Sequence, residues 1–168
     1  TGSGDIATTI IEKNKIKDYQ EFLSDLGIKY NLFEKEIDDS KYIFVKFPSG
    51  REANFFSIMS KGTAALSLFY MWYMQMVDGI NFMFIDEFDS YFHHEVSRKL
   101  IKKLKESSSQ IILTTHNTAN MSNTILRPDS YFTISHNKIA NIADRSGREI
   151  RQAQNIEKMY RAGSFDNE

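Results

Sequence analysis

The residues best suited to chemistry in this sequence are two adjacent carboxylates, Asp86 and Glu87, which directly follow the apolar block Phe82–Ile85. An apolar block without polar alternation predicts a strand that is covered on both faces of a parallel sheet. Both acids would then lie at its carboxyl end, where open α/β sheets bind their ligands. One carboxylate can hold a hydrated Mg²⁺ ion on a nucleotide phosphate, while the other orients or deprotonates an attacking water. The simpler alternative is a strand followed by an acidic turn without a function.

A histidine is predicted at the same edge of the sheet. The apolar stretch 110–115 predicts a second buried strand, and His116 follows it directly. Because parallel strands end at the same sheet edge, His116 is expected beside Asp86 and Glu87. A single histidine is usually structural, but one beside two acids is a candidate for sensing a phosphate.

The segment 60–77 predicts the most apolar helix of the chain, with almost no polar face. Such a helix is expected to be central in the fold or buried at an interface. Ser60 is a good N-cap, and Gly62 allows a ligand to approach the first turn closely. Because helix N-termini bind phosphate, this helix start is a candidate phosphate contact. The alternative is a capped core helix that binds no ligand.

The composition limits the classes of protein and partner. A chain of 168 residues with 41% hydrophobic and 26% charged residues predicts one domain or one lobe with an ordinary core. The net charge of −1 gives no overall attraction to nucleic acid or to an anionic membrane, although a local patch is not excluded. The absence of cysteine excludes disulfides and thiolate metal sites and fits a cytoplasmic location. No apolar run reaches the length of a membrane span.

The remaining segments predict a mixture of helices and strands. An amphipathic helix is expected over 8–26, with Gly27 as its C-cap. Further predicted elements are strands over 28–33 and 41–47, a helix after Asp89 with a basic face, a hairpin with strands 131–134 and 139–142, and a final helix over 149–160. Solvation explains the basic face, with nucleic-acid contact as the alternative.

Four of these features occur in an order that resembles the C-terminal half of an ATP-binding-cassette (ABC) ATPase. They are the helix start Met59-Ser-Lys-Gly-Thr63, the strand ending in Asp86 and Glu87, Asp89 with His93 just after it, and Thr115-His116-Asn117. More narrowly, the chain is similar to the bacterial overcoming-lysogenization-defect-like and anti-phage-defence ATPases, which are relatives of the chromosome-maintenance and DNA-repair ABC proteins. The resemblance covers residues 55–117 well, and residues 155–163 are similar to the C-terminal helix of that group.

The resemblance implies an α/β fold, namely the C-terminal lobe of a P-loop NTPase with a mostly parallel sheet flanked by helices and a small antiparallel hairpin. Residues 1–168 would form a single partial ABC ATPase domain. The phosphate loop of the family, G-x-x-x-x-G-K-S/T, does not occur, and none of the eight glycines is followed by Lys. In the family that loop lies in an N-terminal lobe, so the chain is expected to be a fragment that binds ATP poorly and is inactive alone.

The resemblance also implies roles for the polar residues near the two predicted parallel strands. Asp86 would support Mg²⁺, through water, at the end of the Walker B strand, and Glu87 would be the catalytic base. Asp89 would belong to the D-loop, and His116 would be the switch histidine near the γ-phosphate of ATP.

The start of the apolar helix would be the signature motif, which in this family contacts the γ-phosphate of ATP held by the opposite subunit. Its residues are Ser60, Lys61, Gly62 and Thr63. Lys61 and Thr63 depart from the transporter pattern Leu-Ser-Gly-Gly-Gln, in which they replace the first Gly and the Gln. This departure argues against a transporter subunit.

The function implied by the resemblance is ATP binding and hydrolysis, which drives nucleotide-dependent dimerisation of a bacterial defence or DNA-maintenance ATPase that controls an effector. The implied partners are a second copy of the chain across ATP, the N-terminal lobe with the phosphate loop, and an effector nuclease or toxin. DNA contact has no support from the net charge, and no membrane partner is expected.

Two alternatives belong to other functional classes. The first is a non-catalytic dimerisation or regulatory module that has kept the ABC shape. The second is a metal-dependent phosphoesterase, whose candidate ligands would be Asp86, Glu87, His93, His94 and His116. His93 and His94 argue against it, because neighbouring residues at a helix start would point about 100° apart.

Overall fold

The computed structural model is a mixture of helices and strands and describes residues 3–135, 138–146, 150–151 and 154–165. They form two compact units, Thr1–Leu113 and Thr114–Glu168. The first unit contains, in order, α1 (Ser3–Glu12), α2 (Ile16–Asp25), β1 (Leu32–Ile37), β2 (Ser40–Lys46), β3 (Glu52–Asn54), α3 (Phe55–Ile58), α4 (Lys61–Val77), β4 (Phe82–Ile85), α5 (His94–Leu104) and β5 (Gln110–Leu113). The described part of the second unit contains short 3-10 turns at Thr118–Asn120 and Pro128–Ser130, β6 (Phe132–Ser135), β7 (Lys138–Asn141), α6 (Ile142–Arg145) and α7 (Ile156–Arg161). None of the helices in these ranges has both the length and the apolar character that crossing a membrane requires.

The helix predicted over 8–26 is two helices, so this prediction is wrong at the residues that join them. α1 ends where Asn14 takes a φ of 53°, in the left-handed region that asparagine adopts more readily than most residues. The amide of Lys15 then donates to the carbonyl oxygen of Ile10 at 2.8 Å, as in a Schellman helix end. The helical spacing of apolar residues continues past Asn14 in the sequence, but the backbone leaves the helical conformation at that residue.

The core of the first unit joins α2 to α4. Tyr19 is fully buried, and its hydroxyl shares a 2.6 Å hydrogen bond with the hydroxyl of Ser67. The Ser67 hydroxyl also lies 2.8 Å from the carbonyl oxygen of Thr63, one helical turn earlier. The ring of Tyr19 contacts those of Phe55 and Tyr70, with centroids 6.1 and 5.0 Å apart. These contacts fix the first turns of α4 against the N-terminal helices.

We expect the burial of Tyr19 to make the protein less stable at alkaline pH. Burial raises the pKa of the Tyr19 phenol above its ordinary value. In the unfolded chain, a tyrosine phenol has a pKa of about 10. Above that pH the unfolded chain releases a proton that the folded chain retains, so the free energy of unfolding falls as pH rises. The loss from one such group approaches about 1.4 kcal/mol per pH unit.

Tyr19→Phe should therefore flatten the decline in stability above pH 10 by roughly 1 kcal/mol per pH unit. Urea unfolding between pH 8 and pH 11 measures the difference from the wild type. Tyr42→Phe is the matched control, because Tyr42 is 39% exposed. Equal slopes for the wild type and Tyr19→Phe would contradict the expectation.

The predicted helix over 60–77 is confirmed as α4, with Ser60 as its N-cap. Its covering is incomplete, since Val77 at its end is 74% exposed. The residues of α4 that are buried are Thr63, Leu66, Ser67, Phe69, Tyr70 and Met76. The first half of the helix is therefore the part that is most firmly held in the core.

An antiparallel sheet with the strand order β1-β2-β3 precedes α4. Strands predicted at 28–33 and 41–47 are present, but the first is displaced toward the carboxyl end, to Leu32–Ile37. β1 and β2 are joined by Asp38 and Asp39, whose φ angles are 48° and 58°. Two successive positive φ angles are typical of the two-residue type I′ hairpin turn, which sets the observed register. The short strand β3 was not predicted from the sequence.

β4 and β5 pair in parallel, with Phe82 opposite Gln110 and Ile85 opposite Leu113. The parallel pairing expected from the sequence is confirmed, but the expected covering of both faces is wrong. Phe82 is 54% exposed and Phe84 is 56% exposed, whereas Ile85 is 7% exposed. Side chains alternate between the faces of a strand, so one face of this pair is open in the described residues and the other is packed.

The helix predicted after Asp89 is α5, which buries Leu100 and Leu104. One residue of its basic face takes part in packing, because Lys103 Nζ lies 2.6 Å from Asp25 Oδ2. The same ammonium group lies over the ring of Tyr73, 5.6 Å from its centroid. A part of the basic face is therefore used to join α5 to the N-terminal helices.

The second unit has a small core of its own, formed by Ile142, Ile156 and Phe165. The predicted hairpin is confirmed as β6 and β7, with Ile134 opposite Ile139; residues 136–137 of its loop lie outside the described residues. The predicted final helix is α7, which begins only at Ile156. Residues 149 and 152–153 of the predicted helix also lie outside the described residues.

Candidate active site

The two acids of the candidate site lie in a tight turn at the carboxyl end of β4. Asp86 and Glu87 are both exposed, whereas the next residue, Phe88, is only 4% exposed. Phe88 therefore anchors the turn in the packed interior while the two carboxylates remain at the surface. Glu87 has a φ of 45°, a left-handed conformation that is uncommon for a residue with a side chain.

Hydrogen bonds from Ser90 close this turn. The Ser90 amide donates to the carbonyl oxygen of Glu87 at 3.1 Å. The Ser90 hydroxyl lies 2.9 Å from the same carbonyl oxygen and 3.2 Å from the carboxylate oxygen Oε2 of Glu87. The sequence does not single out Ser90 as a functional residue, although Asp-Ser after an acidic pair is a recognisable turn signal.

The start of α4 is built around a hydrogen-bonded cap. Ser60 is exposed and extended, and its hydroxyl oxygen accepts from the amide of Thr63 at 3.1 Å. The hydroxyls of Ser60 and Thr63 are 3.0 Å apart. Thr63 is only 3% exposed, so its side chain belongs to the cap and the core, whereas Ser60 and Lys61 are exposed residues.

Gly62 brings this helix start against the acidic turn. A Cβ atom at Gly62 would lie 3.1 Å from the backbone carbonyl oxygen of Tyr91, which leaves little room for any side chain. About two helical turns further on, the rings of Phe69 and Phe92 pack with centroids 5.7 Å apart. The structure therefore brings the residues expected to form the signature motif together with the turn that follows Asp86 and Glu87.

Asp89 belongs to the same turn. It is half-buried, and its carbonyl oxygen accepts from the amide of Phe92 at 3.0 Å. This hydrogen bond closes a turn that leads from the acidic turn toward α5. Along the chain, Asp89 therefore lies between the two carboxylates and Tyr91, which contacts Gly62.

His116 lies at the beginning of the second unit, where it is exposed. Its neighbour Asn117 caps a 3-10 turn by accepting from the amide of Ala119 at 3.1 Å, and the amide of Asn117 donates to Thr115 Oγ1 at 2.9 Å. Both of these hydrogen bonds lie within the second unit. The placement of His116 beside the two acids stays a prediction.

The donor chemistry of the acidic turn fits Mg²⁺ rather than a softer metal. Mg²⁺ prefers oxygen ligands and is commonly held by one or two carboxylates together with phosphate oxygens and waters. Asp86 supplies an exposed carboxylate at the strand end, with a second carboxylate on the next residue. Among the described residues, no group of three or more His, Cys, Asp or Glu side chains is placed to hold a metal by itself.

His93 and His94, two candidate ligands of the phosphoesterase alternative, do not have the arrangement expected for two neighbouring helical residues. His93 is the extended N-cap of α5, and only His94 is helical. Their rings are in contact, with centroids 4.1 Å apart and ring planes tilted by 43°. The two residues therefore contact each other at the start of α5.

Comparison with known proteins gives one family and a set of solved structures. A family model described as "AAA domain, putative AbiEii toxin, Type IV TA system" matches residues 5–122. A search of curated proteins gave no match. A solved structure described as "Structural biochemistry of ATP-driven dimerization and DNA stimulated activation of SMC ATPases" is 14% identical, with a TM-score of 0.55 over 91% of this chain and 91% of that chain.

Two further solved structures are SMC head domains. The Smc head domain of Pyrococcus yayanosii, with a coiled coil and joint, is 23% identical over 67% of this chain and 26% of that chain, with a TM-score of 0.47. The SMC head domain of Thermotoga maritima is 25% identical over 72% of this chain and 44% of that chain, with a TM-score of 0.43. This chain thus spans less than half the length of either head-domain chain. The match over 91% of both chains confirms the expected α/β fold class, with a fold similar to that of an SMC ATPase.

Proposed function

This chain belongs to the AAA domain family whose model matches residues 5–122, and from this premise we propose that it supplies one half of an ATP-hydrolysing site. The family relates the chain to nucleotide-binding ATPases. The observation that carries the proposal is the contact, within one unit, between the start of α4 and the turn that holds Asp86 and Glu87. A helix N-terminus and a carboxylate pair at a strand end are among the elements that phosphoryl transfer from a nucleotide uses.

In the proposed reaction, Glu87 orients the attacking water and accepts its proton as the water oxygen bonds to the γ-phosphorus. The bond from the γ-phosphorus to the bridging oxygen breaks, and ADP leaves with the electron pair. Asp86 would hold a Mg²⁺ ion, which would supply positive charge to the phosphate oxygens. The exposed position of both carboxylates at the end of β4 leaves them accessible to a nucleotide.

The start of α4 is proposed to bind the γ-phosphate of ATP held by a second copy of the chain. The Ser60 oxygen accepts from the Thr63 amide and lies 3.0 Å from Thr63 Oγ1. When Thr63 is the donor in that hydroxyl pair, the Ser60 proton can be donated to a phosphate. Lys61, which is exposed, adds a positive charge beside it. Both groups suit a dianionic γ-phosphate better than a neutral ligand.

An N-terminal lobe with the phosphate loop is proposed to cover the open face of β4 and β5. Phe82, Phe84 and Ile112 are 54%, 56% and 42% exposed, respectively. Phe84 and Ile112 are opposite each other in the parallel register, so these side chains share one face. Parallel sheets are almost always covered on both faces, and a lobe placed here would bring its phosphate loop to the same sheet as Asp86.

The ATPase is further proposed to control an effector nuclease or toxin in bacterial defence or DNA maintenance. The description of the family model, which mentions a toxin and a type IV toxin–antitoxin system, supports this direction. DNA contact is not part of the proposal, because the net charge of −1 gives it no support.

The full-length protein tests the proposal through its binding of nucleotide. Calorimetry should show saturable binding of Mg-ATP, phosphate release should show turnover, and sedimentation should show more dimer with ATP than without it. If the full-length protein binds no nucleotide, the non-catalytic dimerisation module is the better explanation. Binding without turnover would remove the catalytic roles of Asp86 and Glu87 but retain the nucleotide site.

A further inference from the structure

Ser90 contacts Glu87 at both the backbone and the side chain. Its amide lies 3.1 Å from the Glu87 carbonyl oxygen, and its hydroxyl lies 2.9 Å from the same oxygen. The hydroxyl is also 3.2 Å from Glu87 Oε2. Ser90 is therefore bonded to both the backbone carbonyl and the side-chain carboxylate of Glu87.

The backbone contacts matter because Glu87 is held in an unfavourable conformation. A left-handed φ such as the 45° of Glu87 persists in a residue with a Cβ only when its surroundings enforce it. The two bonds to the Glu87 carbonyl, with Phe88 buried at 4% exposure, provide that enforcement. The direction in which the Glu87 side chain leaves the turn is therefore set by Ser90 and Phe88 together.

The side-chain contact acts on the carboxylate itself. A hydroxyl has one proton, so Ser90 divides its donation between the carbonyl oxygen and Oε2 of Glu87. Donation to Oε2 restricts the rotation of the carboxylate about its last bond. Hydrogen bonds to an ionised acceptor are stronger than those between neutral groups, so this restriction is strongest in the form of Glu87 that accepts a proton.

We propose that Ser90 is the positioning residue of this site, which fixes the Glu87 carboxylate in the orientation that receives the proton of the attacking water. The inference rests on the proposed ATPase function. Ser90 touches neither substrate nor metal in this scheme and acts only through Glu87. Its side chain is exposed, so removing the hydroxyl opens no cavity in the core.

The test compares the full-length wild type, Ser90→Ala and Ser90→Thr in steady-state ATP hydrolysis. Ser90→Ala should lower kcat about tenfold, which corresponds to about 1.4 kcal/mol, while KM for ATP changes less than twofold. Ser90→Thr retains the hydroxyl and should recover most of the rate. Ser146→Ala is the matched control, since the Ser146 hydroxyl also bonds the carbonyl three residues earlier, that of Ala143, at 3.0 Å, and should leave kcat unchanged.

A double-mutant cycle separates positioning from a merely structural role. In the Glu87→Gln background, single-turnover measurements should show no further loss from Ser90→Ala, because the group that Ser90 positions is already inactive. A full additional loss in that background, or a kcat for Ser90→Ala equal to that of the wild type, would overturn the inference while leaving the ATPase function in place. If the wild type itself does not hydrolyse ATP, the proposed function fails and the role of Ser90 fails with it.

Discussion

Glu87→Gln in the full-length protein is expected to slow ATP hydrolysis by on the order of 10²-fold or more while ATP binding is retained. Glutamine has the shape of glutamate but cannot accept the proton of the attacking water. The surrounding structure should remain intact, because Ser90 can still donate to the side-chain oxygen of Gln and the bonds to the Glu87 carbonyl do not depend on the side chain. The substitution therefore removes the proton-accepting group but keeps the side chain at residue 87 in the same place.

Two measurements are needed for Glu87→Gln. Phosphate release gives the rate of hydrolysis, and calorimetry with Mg-ATP gives the dissociation constant, which should stay within a few-fold of the wild-type value. Glu106→Gln provides the matched control, because Glu106 is an exposed glutamate just after α5 and has no proposed role. Normal turnover by Glu87→Gln would show that Glu87 is not the base, whatever the affinity for ATP.

The second large effect is expected on stability, from Phe55→Ala. Phe55 is fully buried and its ring packs against Tyr19 and Tyr30, with centroids 6.1 and 5.0 Å away. Truncation of a buried Phe to Ala typically costs about 3–5 kcal/mol, because the transfer energy is lost and a cavity remains. Phe55 begins α3, which leads directly into the Ser60 cap, so the loss should also disturb the start of α4.

Urea unfolding of the full-length protein measures this loss as a change in the free energy of unfolding. Phe47→Ala is the control with the same chemical change, since Phe47 is 37% exposed and its truncation should cost far less. A loss below about 1 kcal/mol for Phe55→Ala would mean that the core around Tyr19 and Phe55 is not a main source of stability.

Local sequence signals predicted a large part of the fold and the order in which the residues of the candidate site occur along the chain. Ser60 as an N-cap, the apolar run of α4, and the strand before Asp86 and Glu87 follow from capping and hydrophobic periodicity, which act over a few residues. The order of these features was sufficient to recognise a fold related to ABC-type ATPases, and the family match together with the fold comparison supports that recognition. The same short-range rules explain two wrong predictions. They predict one continuous helix through Asn14, and they do not determine which face of β4 is covered.

Only the tertiary structure decided how the candidate groups are held. It placed Gly62 against Tyr91, turned the Thr63 side chain inward, and gave Glu87 the left-handed backbone that Ser90 supports. Contacts such as that of Gly62 with Tyr91 join residues far apart in sequence, and the exact turn geometry depends on what Phe88 packs against. The sequence alone therefore determined which residues are suited to ATP chemistry, whereas their orientation depended on packing between separate elements, because no local rule specifies it.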